Sequence, residues 1–159
     1  GIGDKLIKTM GLNADSATVR DVSPLRDVAG TLFGAEDWVT STAAVAAATV
    51  ANAWFQFVNV VLANTKAVCI YGFWSRDAVP NIVRVSLRGA GGSTTYQDID
   101  VSGIYSSLEQ VAFFSTPIFY GPTNTINVQL YSRIAAISVS GLLAMVCEPQ
   151  GEYLSRSIV

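Results

Sequence analysis

From Trp54 to Val146 the chain is a succession of strand-like runs of seven to thirteen residues closed by short polar turns, several of them with apolar side chains at every second position. The clearest copy is Asn81-Ile82-Val83-Arg84-Val85-Ser86-Leu87-Arg88. Val83, Val85 and Leu87 point one way there, and Arg84, Ser86 and Arg88 the other, as in a strand with one buried and one wet face. It answers the run Ala67 to Trp74 across the turn Arg76-Asp77-Ala78-Val79-Pro80-Asn81. Further strands are expected over 54–62, 95–101, 112–120, 125–131 and 134–146, the last bent at Gly141. Pro117 places its run on an edge or in a bulge, and residues 103–110 read as a crossover with a helical turn. Seven to eight antiparallel strands with no long helix between them predict an all-β fold, a jelly roll or β-sandwich.

The first forty residues have another character. Asp4 is a candidate cap for a short helix over Lys5 to Met10, stopped by Gly11. Ser23 at N-cap, Pro24 at the first helical position and Gly34 past the end predict a second helix. Leu25, Val28, Ala29, Leu32 and Phe33 would share one of its faces. A helix of about ten residues is marginal alone, so that stripe must dock on something. The alanine-rich segment 43–53 is ambiguous and reads as extended from Thr49 onward. The expected organisation is an arm with short helices (1–42), a β body (43–149) and a tail (150–159).

Composition narrows the function. Half of the 159 residues are hydrophobic and 14% are charged, where about 25% is usual; mean hydropathy is +0.39. A body this poor in charge is expected to meet other subunits over part of its exterior. Trp38 to Thr65 carries no charge, but its Thr, Ser, Asn and Gln residues argue against a membrane helix, and no membrane partner is expected. A formal net charge of −2 with scattered basic residues gives no footprint for specific nucleic-acid binding. Gly1 to Lys5 leads into only a short apolar patch, which is not the pattern of a secretory signal.

Chemistry is nearly excluded. The chain has no histidine, which removes the Ser-His-Asp and Cys-His systems and most zinc sites. Asp98 and Asp100 project from one strand face, yet lack the further oxygens a calcium ion needs. Gly89-Ala90-Gly91-Gly92 lacks the Lys-Ser/Thr ending of a phosphate loop. Cys69 and Cys147 read as buried thiols, with a disulfide left open. No catalytic residue, metal, cofactor or small-molecule substrate is expected. Trp38, Trp54, Trp74, Tyr71 and Tyr105 could form a sugar-stacking platform, which keeps a carbohydrate- or ligand-binding module as the alternative.

The stretches 81–87, Ser102-Gly103-Ile104-Tyr105, Ala112 to Ile118 and Gly141-Leu142-Leu143-Ala144-Met145-Val146 carry a resemblance. The body from Phe73 to Pro149, about half the chain, resembles small jelly-roll structural proteins of bacterial and archaeal viruses. The resemblance implies a capsid or cement (decoration) role in the virion, with copies of itself and other virion proteins as partners and the arm binding neighbours. Leu25, Val28, Leu32, Phe33, Trp38, Arg84 and Arg88 are the interface residues expected on this reading.

Overall fold

The computed structural model describes residues 1–12, 17–25, 45–47, 50–62, 64–89 and 92–149. In chain order these form α1 (Ile2–Thr9), β1 (Ala17–Leu25), β2 (Val45–Ala47), β3 (Ala53–Val61), β4 (Ala67–Ser75), β5 (Ile82–Gly89) and β6 (Thr94–Asp100). A 3-10 turn (Ser102–Ser106), β7 (Val111–Tyr120), β8 (Thr125–Ser132) and β9 (Ile137–Pro149) follow. One sheet has the order β1-β9-β4-β7, with β2 also on β9; the other has the order β3-β8-β5-β6. Every pairing is antiparallel.

The topology follows from one folded ribbon. With the short β2 set aside, eight strands remain, and they pair from the outside inwards: β1 with β9, β3 with β8, β4 with β7, β5 with β6. Rolling that ribbon brings β4 beside β9 and β5 beside β8. The result is a jelly roll, which resolves the two architectures the strand pattern allowed.

The alternation read from Ile82 to Arg88 sets the core. Val85 and Leu87 are fully buried between the sheets with Ile70, Phe73, Leu130 and Leu142. At the far end Tyr120 of β7 joins the two sheets, its hydroxyl donating to the Arg88 carbonyl of β5 at 2.8 Å. Pro117 lies both on an edge and in a bulge: the four residues Phe114–Pro117 stand opposite the single Tyr71, with β4 regaining register at Gly72. A Cβ at Gly72 would come within 2.8 Å of the Ala112 carbonyl and of Leu143 Cδ1, so that crossing requires glycine.

A second, smaller core lies outside the five-stranded sheet. Leu6 of α1 is fully buried against Ala67, Cys69 and Cys147. The helix starts before Asp4, which stands in its first turn, while Lys8 stands in the last, both favourable to the helix dipole. Gly11 stops it as expected: at φ +68° it donates to the Lys8 carbonyl (3.0 Å), and Leu12 donates to Ile7 (3.1 Å), the bond pair of a Schellman motif.

The runs 67–74 and 81–88 do not pair across their turn, since β4 and β5 belong to different sheets. Three further expectations need revision. Ser23, Pro24 and Leu25 do not open a helix; they end β1, whose register on β9 shifts between Val22 and Leu25. A capping signal is worth about 1 kcal/mol, less than the ladder to β9, and proline is tolerated at an irregularity on an edge strand. The rest of the predicted stripe, Val28, Leu32 and Phe33, and Trp38 lie outside the described residues. Segment 43–53 is extended at Val45–Ala47 rather than from Thr49, with a turn at 50–52 where Asn52 takes φ 52°. The strand β9 begins at Ile137, not Ile134. Among the described residues no helix is long and apolar enough to cross a membrane.

Candidate interaction site at the loop end

Antiparallel pairing sends alternate loops to opposite ends of the sandwich. The registers Ala53↔Ser132, Ile82↔Ser132, Trp74↔Val111 and Ser75↔Ser140 place the turns at 50–52, 76–81, 101–110 and 133–136 at one end. A buried polar network ties three of them together. Ser138 donates to the Asp77 carboxylate and shares a 2.6 Å contact with Ser140, which donates to Ser75 at 3.0 Å. Ser132 Oγ lies 2.6 Å from both Asn81 Oδ1 and the Ile134 carbonyl. Gln110 reaches the Asp77 carbonyl at 2.9 Å. The Tyr105 hydroxyl donates to the Ile82 carbonyl (2.6 Å) and accepts from its N–H (3.1 Å), and burial pushes its pKa up.

On this fixed base stands an apolar crown. Val50, Val79, Leu108 and Ile134 come from four different turns, and all are exposed. Leu108 is fully exposed, and Phe113, three residues into β7, is 71% exposed with its ring stacked on Tyr71 at 6.4 Å. A shallow groove of about 250 Å³ lies between the 3-10 turn and β7, lined by Asp100, Val101, Gly103, Ile104, Ser107, Val111 and Ala112. Large apolar side chains held out on a hydrogen-bonded base suit contact with another macromolecule better than they suit catalysis. Sequence reading missed this site because its members are lone apolar residues in separate turns.

Of the residues expected at an interface, Leu25 closes β1 opposite Leu142. Arg84 and Arg88 lie on the outer face of the four-stranded sheet, 5.5 and 5.6 Å from the ring of Trp54, and Arg88 Nε donates to Ser86 at 2.7 Å. Trp54 also meets Tyr131 edge-on at 5.5 Å. The four described members of the aromatic platform do not come together: Trp54 is on this face, Tyr71 is on the outer face of the other sheet, Trp74 lies 5.6 Å from the Arg76 guanidinium, and Tyr105 is tied to Ile82.

The Asp100 carboxylate accepts from the Ser102 hydroxyl (2.6 Å) and N–H (2.8 Å), bonds that hold it below the usual carboxylate range. Its partners are those of a turn, and among the described residues no three His, Cys, Asp or Glu side chains gather as a metal site would need. Cys69 and Cys147 are free. They stand diagonally across the β4–β9 ladder, opposite Met145 and Ala67, and burial pushes Cys69 up to about 12.

No protein-family model matches the chain, and no curated protein matches it in sequence. Among solved structures it is similar to a protein of the Bacillus endospore appendages, disulfide-linked pili, at 10% identity and a TM-score of 0.37 over 84% of this chain and 88% of that one. It is similar also to the C-terminal CBM6 of LamC, a marine laminarinase from Zobellia galactanivorans (14%, TM-score 0.34, 81% and 90%). A third likeness is to a chain of infectious bursal disease virus, Gx strain (10%, TM-score 0.36, 89% and 35%). These likenesses concern the β-sandwich alone.

Proposed function

We propose that the protein is a structural subunit of a virus particle, in the shell or as cement upon it, joined to copies of itself and to other particle proteins. The observation that carries this reading is the loop end: Val50, Val79, Leu108, Ile134 and Phe113 present apolar surface on a base tied by buried hydrogen bonds. Jelly rolls serve capsids and lectins alike, so the fold contributes only an analogy. What favours assembly is the chemistry of the crown, which protrudes and is apolar, whereas small-ligand sites are concave with convergent polar groups. Apolar area would drive the contact at about 25 cal/mol per Å², offset by lost rigid-body freedom. The reading includes neither an enzymatic activity nor a specific nucleic-acid partner.

Light scattering on the purified chain tests it. The expected result is association that grows with concentration and is weakened by Leu108→Asp together with Val79→Asp, both exposed and therefore harmless to the fold. A mass of 16.9 kDa at every concentration, alone and with other particle proteins, would overturn it.

The alternative, a carbohydrate-binding module, would use the outer face around Trp54. Two guanidiniums and Tyr131 already engage that ring, so tryptophan fluorescence is expected to stay unchanged on titration with polysaccharides. Saturable quenching would favour the module.

A further inference from the structure

Among the described strands, and with the three-residue β2 set aside, the two sheets end in four edges, and an edge is a template on which another chain can add a strand unless something blunts it. Three are blunted. On β1 the register shifts between Val22 and Leu25, and Pro24 has no N–H to offer a partner. The β7 edge holds Pro117 and the four-residue bulge. On β6, Asp98 and Asp100 are exposed. The fourth, β3, runs Ala53-Trp54-Phe55-Gln56-Phe57-Val58-Asn59-Val60-Val61 with no charge and no proline, rich in aromatic and β-branched residues. Its one irregularity is a register shift between Gln56 and Val58. Among the described strands it is paired on one side only, to β8.

We infer that β3 joins two copies of this chain edge to edge, antiparallel about a two-fold axis, turning two four-stranded sheets into one of eight strands. Charge selects the occupant. A two-fold contact sets each strand against its own copy, so any charge on it meets its like across the axis. At β6 that would bring four carboxylates together; at β3 it opposes nothing. The outer-face side chains Trp54, Gln56, Asn59 and Val61 would continue across the joint as an uncharged strip whose amides both donate and accept. The inference rests on the assembly reading but uses a surface separate from the crown.

The test is light scattering on the full chain carrying Gln56→Lys with Val61→Lys, two exposed positions, so that Asn59 remains to accept from Asn127. Thr95→Lys on the exposed β6 edge is the control. The double change is expected to weaken dimerisation about tenfold or more, and the control to leave it unchanged. Undiminished association of the double variant overturns the edge contact while leaving assembly standing; a wild-type chain that never associates removes both. Amide exchange in the wild-type chain gives an independent reading. Protection along β3 should rise with concentration while β6 stays constant, and equal behaviour of the two edges overturns the inference.

Discussion

The two outer faces of the sandwich belong to the same ribbon and solve opposite problems. Outside the five-stranded sheet, Ala67, Cys69 and Cys147 are apolar and need a cover, which α1 supplies through Leu6. Outside the four-stranded sheet the rows are polar. Trp54, Tyr131, Arg84 and Asp100 stand in one register, and Gln56, Gln129, Ser86 and Asp98 in the next. There Asn127 is buried by its own neighbours, donating to Asn59 (3.3 Å) and Gln56 (3.4 Å) while Gln129 reaches its oxygen at 3.5 Å. One face is stabilised by burial of area, the other by mutual satisfaction of amides. The first should respond to loss of volume, the second to loss of a partner.

The largest effect is expected at Leu6→Ala. Removing a fully buried leucine costs about 2–5 kcal/mol, and an eight-residue helix has little stability of its own. The measurement is denaturant unfolding together with thiol labelling: Cys69 and Cys147, inert in the wild-type fold, should react. If they stay inert, α1 is not what covers that face.

Next comes Asn127→Ala, at about 1–2 kcal/mol. Its former acceptors on Gln56 and Asn59 lie at exposed positions and can turn to water. A thermal melt showing a loss as large as that of Leu6→Ala would erase the distinction between the faces.

The apolar face should also carry its own pH dependence. Burial raises the Cys69 thiol from an ordinary 9.0 to about 12, and raises Cys147 as well. A folded-state pKa above the unfolded one means stability is complete below pH 9 and lost as pH climbs through 9 towards 12, because only the unfolded chain ionises readily. Unfolding at pH 10 should be easier by about 1 kcal/mol, and Cys69→Ser with Cys147→Ser should flatten the slope. The smallest effect belongs to Arg84→Ala, whose exposed cation–π contact with Trp54 is worth about 0.5 kcal/mol. A larger loss would make the polar face a structural unit rather than a wet one.

Much of this was legible in the residues. Apolar and period-two runs placed β3 to β8 to within a residue or two, Gly11 stopped α1, and Pro117 marked its strand as an edge or a bulge. These are local signals, carried by side-chain direction and backbone restriction within a few positions. Pro24 misled because its signal is equally local while its outcome was decided by β9, more than a hundred residues away. The loop end was hidden for the same reason. Ser75, Asp77, Ser138 and Ser140 look like ordinary strand and turn polars until the roll joins Ser140 to Ser75 and Ser138 to Asp77, across separations of 65 and 61 residues. Leu108 in a turn means little until three other turns arrive beside it.

By itself the chain dictated strands, their faces and a scarcity of charge, because alternation and turn chemistry act between neighbours. Which strands became edges, which turns share an end, and which apolar residues stayed outside were decided only when the ribbon rolled. Those are relations between segments far apart in sequence, settled by the pairing that buries the most apolar surface while leaving the fewest backbone groups unbonded.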